Sequence, residues 1–539
     1  VSTPNSQNKW EMYTGANANT DWFAEVYRNW APSHEHNLSV SGGTEKLTYR
    51  VSGSFLDQNG LIRHGSDNFQ RYTLDAKISA QLAKWVTLNY TSKWTREDYD
   101  RPTYMTGLFF HNIARRWPTC PVYDDNGHLT EGMELTQMEE GGVQTQQKNY
   151  YTQQMGLRFE PIKDWTINID GNMRTHTNNQ HWAVLPVYAY DANNQPYAIS
   201  WDGGASYSPG ASRISESRYT EDYFTTNIYT DYQKTINDHF FKVMVGFNAE
   251  LTRTDNLYGQ GDKIISPEVP TINQTTSEQK VGGGKAENSV AGFFGRINYN
   301  YKERYLLEVN ARYDGTSRFS RDNRWNVFPS VSAGWNIARE AFWEPYTDVV
   351  NNLKFRGSWG ELGNQNTTNL YPYYQLLKFA ANDANSHWLL NGMKPNTANA
   401  PDLISTLLSW ETMRSWNIGI DVGALQNRLT FSFDYFNRKT LDMVGPAPEL
   451  PVILGATVPK TNNADMESKG FELDIAWRDR IGKVDYGAHI LLSDDRQRVT
   501  RYSNPTGTLN TWYEGQYSGE IWGYVTHGIA KTDEEMQDW

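Results

Sequence analysis

Cysteine is almost absent from this sequence of 539 residues, in which Cys120 stands alone. A single cysteine forms neither an intramolecular disulfide nor a cysteine-rich metal site. Positive charge is also scarce, because 50 Lys and Arg residues face 62 Asp and Glu residues and leave a formal net charge of −12. Binding to phosphates needs a surplus or a stripe of Lys and Arg, so the composition predicts no nucleic-acid partner.

Long apolar runs are missing as well. No segment approaches the roughly 18 consecutive apolar residues that a transmembrane helix needs, and the mean hydropathy is −0.71. Such a value is compatible with a membrane β-barrel, whose strands are apolar on one face only. The segment 1–7 lacks the pattern of a signal peptide, and 532–539 resembles a polar helix that stops mid-pattern. We therefore expect this chain to be the central part of a longer protein.

Motifs of common catalytic and cofactor sites are not found either. The sequence has no G-x-S-x-G elbow, no H-E-x-x-H zinc motif and no P-loop. The segment Asp124–Gly127 begins like a calcium-binding loop but has no Glu at the twelfth position, so we interpret it as a turn. We predict that the protein is not an enzyme, has no catalytic or metal-binding residues and uses no cofactor.

The sequence is instead dominated by a strict alternation of apolar and polar residues. This period of two predicts β-strands. About sixteen such strands are predicted, many of about ten residues, whereas strands of soluble sheets typically have five or six. Clear examples lie at 46–55, 71–79, 164–172, 304–314, 415–422, 428–438, 470–477 and 483–492.

The predicted connections alternate between short and long along the chain. Short ones lie near 43–45, 80–83, 161–163, 235–237, 301–303, 425–427 and 480–481, and the less regular 339–352 contains a small amphipathic turn. Long ones lie at 57–68, 97–147, 177–218, 255–284, 315–326, 361–413 and 439–467. This asymmetry predicts an all-β fold, a transmembrane antiparallel β-barrel with short periplasmic turns and long extracellular loops. A β-propeller would instead repeat about every 40–50 residues.

Alternation also predicts how each face of the barrel is used. Hydrocarbon offers no hydrogen bonds, so the apolar face is expected to contact outer-membrane lipid and the polar face to enclose a wet lumen or a plug. Aromatic residues near strand ends fit two interfacial girdles, although packing in a sheet core is the alternative. The residues concerned are Trp85, Trp94, Trp165, Tyr299, Tyr301, Tyr305, Trp416, Trp477 and Trp512.

The long loops are rich in aromatic and amide side chains. Such side chains suit stacking on sugar rings and hydrogen bonding to hydroxyl groups, although packing of a loop on itself is the alternative for each residue. The candidate substrate-binding residues are Trp117, Trp182, Trp201, Tyr207 and Trp388.

Several longer motifs resemble the SusC/RagA-type TonB-dependent transporters of Bacteroidetes outer membranes. The most specific are RYDGTSRF at 312–319 and FPSVSAGW at 328–335. The others, in chain order, are DWF at 21–23, HNLSVSGG at 36–43, LDQNG at 56–60, FQRY at 69–72, LKFRGSWG at 353–360, GNQ at 363–365, KGFEL at 469–473, EGQ at 514–516, GY at 523–524 and GI at 528–529. Within them, we expect Gly315 to permit a tight turn, Pro329 to begin a strand, and Asp314 and Arg318 to tie down a loop.

The resemblance implies a 22-stranded barrel, of which residues 1–539 are a partial barrel domain that lacks the plug and the final strands. It also implies energisation by TonB, a SusD-like lid lipoprotein, and import of oligosaccharides or, in some members, peptides. No residue of this sequence carries the TonB box. The predicted loops 97–147 and 361–413 are long enough to bear a lid interface. We expect import of glycan breakdown products.

Three alternatives to glycan import remain open. One is a SusC-like importer of peptides. Another is a secreted glycan-binding or glycan-degrading β-protein, and carboxylate pairs such as Asp494-Asp495 could in principle serve a glycosidase. The third, within the barrel class, is a siderophore-type receptor.

Overall fold

The computed structural model describes residues 4–10, 16–131, 134–202, 206–367, 369–380, 388–399, 401, 403–447, 458–526 and 528–538; the side chains of 201, 202, 206, 207, 378, 380 and 399 are outside this description. The chain divides into two compact units. Unit 1 comprises Val1–Tyr232 and Gly246–Ala291, and unit 2 comprises Gln233–Val245 and Gly292–Trp539.

Among the described residues, sixteen strands form one antiparallel sheet in which neighbours follow one another along the chain. Their bounds are β1 Ser33–Gly43, β2 Leu47–Asn59, β3 Asn68–Ala83, β4 Val86–Pro102, β5 Val143–Ile162, β6 Trp165–Val184, β11 Arg213–Ile236, β12 His239–Asp262, β13 Lys280–Tyr301, β14 Tyr305–Thr316, β15 Trp325–Asn336, β16 Val350–Asn364, β19 Glu411–Ala424, β20 Leu429–Val444, β21 Asn462–Ile481 and β22 Val484–Arg501. The number of strands and the all-β fold are therefore confirmed.

Six further strands in the described part of the chain are short and lie in the long connections. They form three two-stranded sheets: β7 Tyr188–Tyr190 with β8 Pro196–Ala198, β9 Trp201–Asp202 with β10 Ser206–Tyr207, and β17 Lys378–Ala380 with β18 Thr397–Asn399. The α-helices are α1 Trp22–Val26, α2 Gly107–Arg115, α3 Leu135–Glu140 and α4 Asp533–Asp538. Among the helices that the structure describes, none is long and apolar enough to cross a membrane.

The main strands are longer than predicted. They run from 11 residues in β1 to 24 in β11 and β12. At about 3.3 Å per residue, 24 residues extend to about 80 Å, well beyond the roughly 30 Å of a bilayer core. The extra length comes from the predicted loops 97–147, 177–218 and 255–284, whose outer residues belong to strands.

The alternation of short and long connections is confirmed. Short turns such as 44–46, 163–164 and 302–304 lie between strands that pair directly, and the long connections include 103–142, 185–212 and 365–410. The irregular short-side link contains two 3-10 helices, Ile337–Arg339 and Ala341–Tyr346, in agreement with the predicted amphipathic turn.

The buried hydrophobic core of unit 1 lies in the connections, not between sheet faces. Side chains of α1, α2, α3 and the segments around them form one cluster with the end of β6: Trp22, Val26, Ile62, Tyr104, Met105, Phe109, Ile113, Cys120, Leu135, Met138 and Val184. Asp21 caps α1 by accepting a hydrogen bond from Ala24 N at 3.1 Å, and Thr106 occupies the N-cap of α2. In unit 2 a smaller cluster joins Phe319, Phe328, Leu408 and Trp410.

The predictions about Gly315 and Pro329 are wrong. The prediction that Asp314 and Arg318 tie down a loop is confirmed for Arg318 only, because the Asp314 carboxylate accepts from Arg312 of the same strand. Gly315 lies inside β14, opposite Trp325 of β15, and not in a tight turn. Pro329 is the fifth residue of β15, immediately before the ladder with β16 begins at Ser330, so its missing N–H removes no bond of that ladder. Arg318 does tie down a loop, because its Nη1 donates to Thr367 O at 2.8 Å.

Candidate functional site

The apolar rows of the sheet are its exposed face. In β14, Leu307 and Val309 are each 41% exposed, whereas Glu308 between them is half-buried. The facing residues of β15 continue the row, since Val309 is opposite Val331. A strand of a water-soluble sheet would show the reverse, with its apolar residues covered. These apolar residues do not pack inside a protein core, as predicted.

Unit 1 shows the same arrangement of its faces. Leu38 and Val40 of β1 form such a row, and Val40 lies opposite the exposed Val51 of β2, although β1 is an edge strand in which every residue is exposed. Leu74 of β3 lies opposite Trp94 of β4, and both are exposed. A contiguous apolar surface of this extent on a sheet that is polar behind it is typical of contact with lipid.

The apolar row ends part of the way along each long strand. On β6 the outward positions from Trp165 to Met173 are mostly apolar, and the outward positions from Thr175 to His181 are polar. We call the first part the apolar band. The band starts at the short turns and spans about nine residues, which matches a tilted strand crossing hydrocarbon. The remaining length of these strands projects beyond it on the long-loop side.

Exposed aromatic rings lie at both edges of the apolar band. Near the short turns, Tyr305 and Trp335 are cross-strand partners. Near the other edge, Trp94 lies opposite Tyr151. Both pairs fit the predicted girdles. Trp512 does not, because it packs in a loop cluster with Tyr502 at a ring distance of 6.1 Å.

The polar face of unit 1 carries a group of rings and charges just beyond the band, on β5, β6 and β11. Tyr150 and His176 are cross-strand partners whose rings stack at 4.4 Å with an interplanar angle of 2°. The ring of Tyr219 meets His176 edge-on at 5.8 Å. Arg174 donates to Glu221 at 2.8 Å, and the Tyr219 hydroxyl donates to the other oxygen of Glu221 at 3.1 Å.

The polar face of unit 2 has an ion network at its centre. Arg356 of β16 donates to both carboxylate oxygens of Asp434 at 2.5 Å and to Asp421 at 3.1 and 3.2 Å. Beside it is a recess of about 410 Å³, whose walls combine apolar residues such as Leu306 with charged, amide and small residues. They include Asn298, Glu308, Ser332, Gly334, Arg356 and Ser358. The motifs at 328–335 and 353–360 both contribute residues to the walls of this recess.

A larger cavity of about 660 Å³ lies under the long connections of unit 2. Its walls combine apolar and polar side chains, among them Tyr374, Leu376, Leu403, Leu408, Glu411 and Lys460. The cavity is therefore more polar than the mostly apolar clefts that usually bind small molecules.

Burial tunes the electrostatics of the loops. It raises the pKa of Tyr197 in β8, and Glu131 adds to the shift by repelling the phenolate and accepting a hydrogen bond from the hydroxyl at 3.1 Å. Burial also raises the pKa of the Cys120 thiol and lowers the pKa of Arg318.

The segment Asp124–Gly127 is a turn, as predicted, because Asp124 Oδ1 accepts from Asn126 N and His128 N. No group of three or more potential metal ligands occurs among the described residues.

The five predicted substrate-binding residues lie in different kinds of structural element. Trp117 and Trp388 lie in loops and are 54% and 65% exposed. Trp182 is not in a loop, contrary to its prediction. It belongs to β6, on the same polar face as His176, and is 40% exposed. The backbones of Trp201 and Tyr207 pair in the β9–β10 hairpin, and their side chains lie outside the described part of the chain.

The polar-face residues Tyr150, His176 and Tyr219 are not among the predicted binding residues, because those were chosen from the predicted long loops. The signal that would have found them is the alternation itself, because even positions of β6 from Asp170 onward share the polar face. The strand was predicted to stop at 172, since polar residues on both faces resemble a loop.

Comparison with known proteins gives a family match over most of the chain. The family model described as TonB dependent receptor-like, beta-barrel, matches residues 110–532. The SusC TonB-dependent receptor of Bacteroides thetaiotaomicron is 28% identical over 483 residues, which cover 85% of this chain and 46% of that protein. The TonB-dependent receptor P3 of Formosa agariphila is 25% identical, with 96% and 52% covered. The chain therefore spans about half the length of these relatives.

Solved structures agree in fold. The RagAB peptide transporter superposes with a TM-score of 0.76 at 20% identity and covers 91% of this chain and 53% of its own. The Escherichia coli outer-membrane transporter YddB gives 0.53 at 10% identity, with 87% and 55% covered. The ferripyoverdine receptor of Pseudomonas aeruginosa gives 0.51 at 12% identity, with 87% and 57% covered.

Proposed function

Because the chain belongs to the TonB-dependent receptor-like β-barrel family and has its place in the outer membrane, we propose that it is part of an active outer-membrane importer. The observation that carries this proposal is the inversion of its faces. Apolar rows are exposed while charged and amide rows are partly covered, and this arrangement provides a hydrophilic path within a hydrophobic surrounding. We further propose that residues 1–539 form one partial barrel domain.

The importer is proposed to work with two partners. TonB supplies energy from the periplasmic side, and a SusD-like surface lipoprotein covers the lumen on the long-loop side. Support comes from the similarity to SusC and from the fold shared with the RagAB transporter. The long connections, which include 103–142 and 365–410, provide the surface for such a lid.

The proposed cargo is an oligosaccharide. Tyrosine, amide and carboxylate groups dominate the polar face of unit 1 beyond the apolar band, and these groups suit hydrogen bonding to sugar hydroxyls. Trp182 is proposed to contribute a ring to this path, and Trp117, Trp201, Tyr207 and Trp388 to contact cargo from the loops. Peptide cargo is the second candidate, favoured by the fold shared with a peptide transporter.

The test is purification of the full-length protein from outer membranes. We expect it to need detergent, to migrate faster on gels before boiling than after, and to carry a lipoprotein partner. Calorimetry of that complex against oligosaccharides and peptides then identifies the cargo class. A protein that is monodisperse without detergent would contradict the membrane assignment and favour a secreted glycan-binding protein. Binding of peptides alone would replace the proposed cargo.

A further inference from the structure

We propose that the polar face of unit 1 contains a binding site for a neutral, hydroxyl-rich ligand, formed by Tyr150, Arg174, His176, Asn178, Tyr219 and Glu221. We call these six residues the β6 cluster. The inference rests on the proposed import function, which it deepens by naming where and how the wall of the path contacts an oligosaccharide.

Two atoms of the β6 cluster are buried without a hydrogen-bond partner among the described residues. They are Nε2 of His176 and Oδ1 of Asn178, which lie two positions apart on the same face of β6. Leaving such atoms unpaired costs free energy, and native proteins contain few of them. A ligand that supplies hydrogen bonds at this position would remove that cost.

The cluster favours hydroxyl groups over aromatic rings as ligands. Tyr150 and His176 stack face to face and Tyr219 meets His176 edge-on, so the ring faces between them leave no room for another aromatic ring. Asn178 Oδ1 needs a donor, and the Glu221 carboxylate, which already accepts from Arg174 and Tyr219, can accept further bonds. The tyrosine hydroxyls both donate and accept. Sugar hydroxyls also do both, and therefore match this mixed set.

The charges around His176 predict a ligand without net charge. Four charged groups surround it: Glu97 and Glu221 are negative, and Lys148 and Arg174 are positive. Arg174 and Glu221 are paired with each other at 2.8 Å. Because the charges balance, neither a cationic nor an anionic ligand gains from the local field.

The location fits cargo in transit. His176 is three residues past Met173, where the apolar band ends on β6, and it faces the opposite side from the band. The residues of the cluster lie on paired strands, so the site is held by backbone ladders and not by loops. Farther along the same face of β6, Trp182 provides an exposed ring.

The experiment compares variants of the full-length transporter with its co-purified partner. His176→Phe keeps a ring stacked on Tyr150 but removes Nε2, and Tyr150→Phe removes one hydroxyl. Thr177→Val is the matched control, because it lies between the cluster residues of β6 but faces outward. The probes are fluorescently tagged oligosaccharides from hydrolysed α-glucan, β-glucan, mannan and xylan, and a tryptic digest of casein. Retained compounds are identified by mass spectrometry and their affinity is measured by calorimetry.

We expect wild type and Thr177→Val to retain the same oligosaccharide and His176→Phe to bind it about tenfold more weakly, the effect of one hydrogen bond in a desolvated site. Equal affinity of His176→Phe and wild type would overturn the β6 cluster as a site but leave glycan import intact. Retention of peptides alone, or of nothing, by wild type would overturn the proposed cargo together with this inference. Circular dichroism and heat-dependent migration verify that each variant folds.

Discussion

At the scale of single residues, Gly315 shows that the role suggested by a sequence motif can differ from the role seen in the structure. The motif at 312–319 suggests a turn, but the backbone of Gly315 continues β14 and the indole of Trp325 lies over it. A Cβ atom built on Gly315 would be 2.5 Å from that ring. The reason for glycine is a contact with the neighbouring strand, which no local sequence pattern reveals.

Replacing Gly315 by alanine should therefore lower the stability of the full-length protein. Relief of the clash requires movement of the Trp325 ring or of the backbone, with a cost of about 1–3 kcal/mol. The measurement is the temperature at which the protein loses its fast migration on unboiled gels. Gly357→Ala is the control, because its Cβ would meet nothing closer than 3.8 Å. Equal effects of the two substitutions would show that the ring contact is not the cause.

Glu340 gives a pH-dependent prediction. Hydrogen bonds from Tyr305 and Trp335 lower the pKa of Glu340, and Arg304 adds to the effect at 3.3 Å. A carboxyl group with a lowered pKa stabilises the folded state above the pKa of the unfolded chain, and this contribution disappears as pH falls through its folded pKa.

Glu340→Gln should therefore melt below wild type at pH 7, with a difference that shrinks as pH falls below about 4. The measurement is the melting temperature of both proteins in detergent at pH 7 and at acidic pH. Glu303→Gln, in the turn on the same side, is the control for loss of a surface charge. A difference that stays constant with pH would mean that Glu340 acts through packing and not through charge.

Arg356 is held between two carboxylates on the polar face, and its side chain is 32% exposed. Arg356→Met removes the cation that contacts both Asp421 and Asp434 and leaves the two carboxylates facing each other. We expect a loss of about 1–3 kcal/mol, less than for a fully buried pair because water screens the charges. The triple variant Arg356→Met, Asp421→Asn and Asp434→Asn should regain most of the loss in chemical unfolding experiments. A triple variant less stable than the single one would contradict this electrostatic account.

At the scale of elements, alternation predicted the strands but not their ends. Within the apolar band the two faces of β6 differ strongly, and the predicted strand 164–172 falls within β6 except for Asp164, which precedes it. From Thr175 onward both faces are polar, because neither contacts hydrocarbon, and the period of two is no longer visible in hydropathy. Strand β6 nevertheless continues to Val184 through its ladders with β5 and β11. The same extension moved Trp182 from a predicted loop into a strand and hid the β6 cluster.

The apolar band predicts a strong dependence on position for charged substitutions. Val309 lies midway between Tyr305 and Tyr313 on the outward face of β14, so Val309→Arg places a cation near the bilayer midplane. The expected cost is about 2–4 kcal/mol. Thr177→Arg, outward on β6 but beyond the band, should cost almost nothing. Folding yield into lipid vesicles measures both, and equal yields would place the hydrocarbon elsewhere on the sheet.

At the scale of the whole molecule, the long connections differ in how they pack. The connection 103–142 shares a buried core with α1 and the end of β6, whereas several apolar residues of 365–410, such as Phe379 and Met393, are exposed. The sequence predicted that both connections are long. It did not predict which of them packs into a core, because that core joins residues as distant in the chain as Trp22 and Leu135. Such residues meet only because the chain reverses direction at each strand between them. The alternation of short and long connections, in contrast, is a one-dimensional feature and was predicted directly.

That alternation assigns each end of the strands to one side of the membrane, which single cysteines test. Asn126→Cys, in an exposed turn of a long connection, should react on intact cells with a maleimide that does not cross membranes. Lys483→Cys, in a short turn, should react only after the outer membrane is permeabilised. Native Cys120 provides the blank, because it is fully buried and burial raises the pKa of its thiol, so little reactive thiolate is present. If Lys483→Cys reacted on intact cells and Asn126→Cys only after permeabilisation, every strand would cross the membrane in the opposite orientation. Cargo would then reach the polar face from the other side.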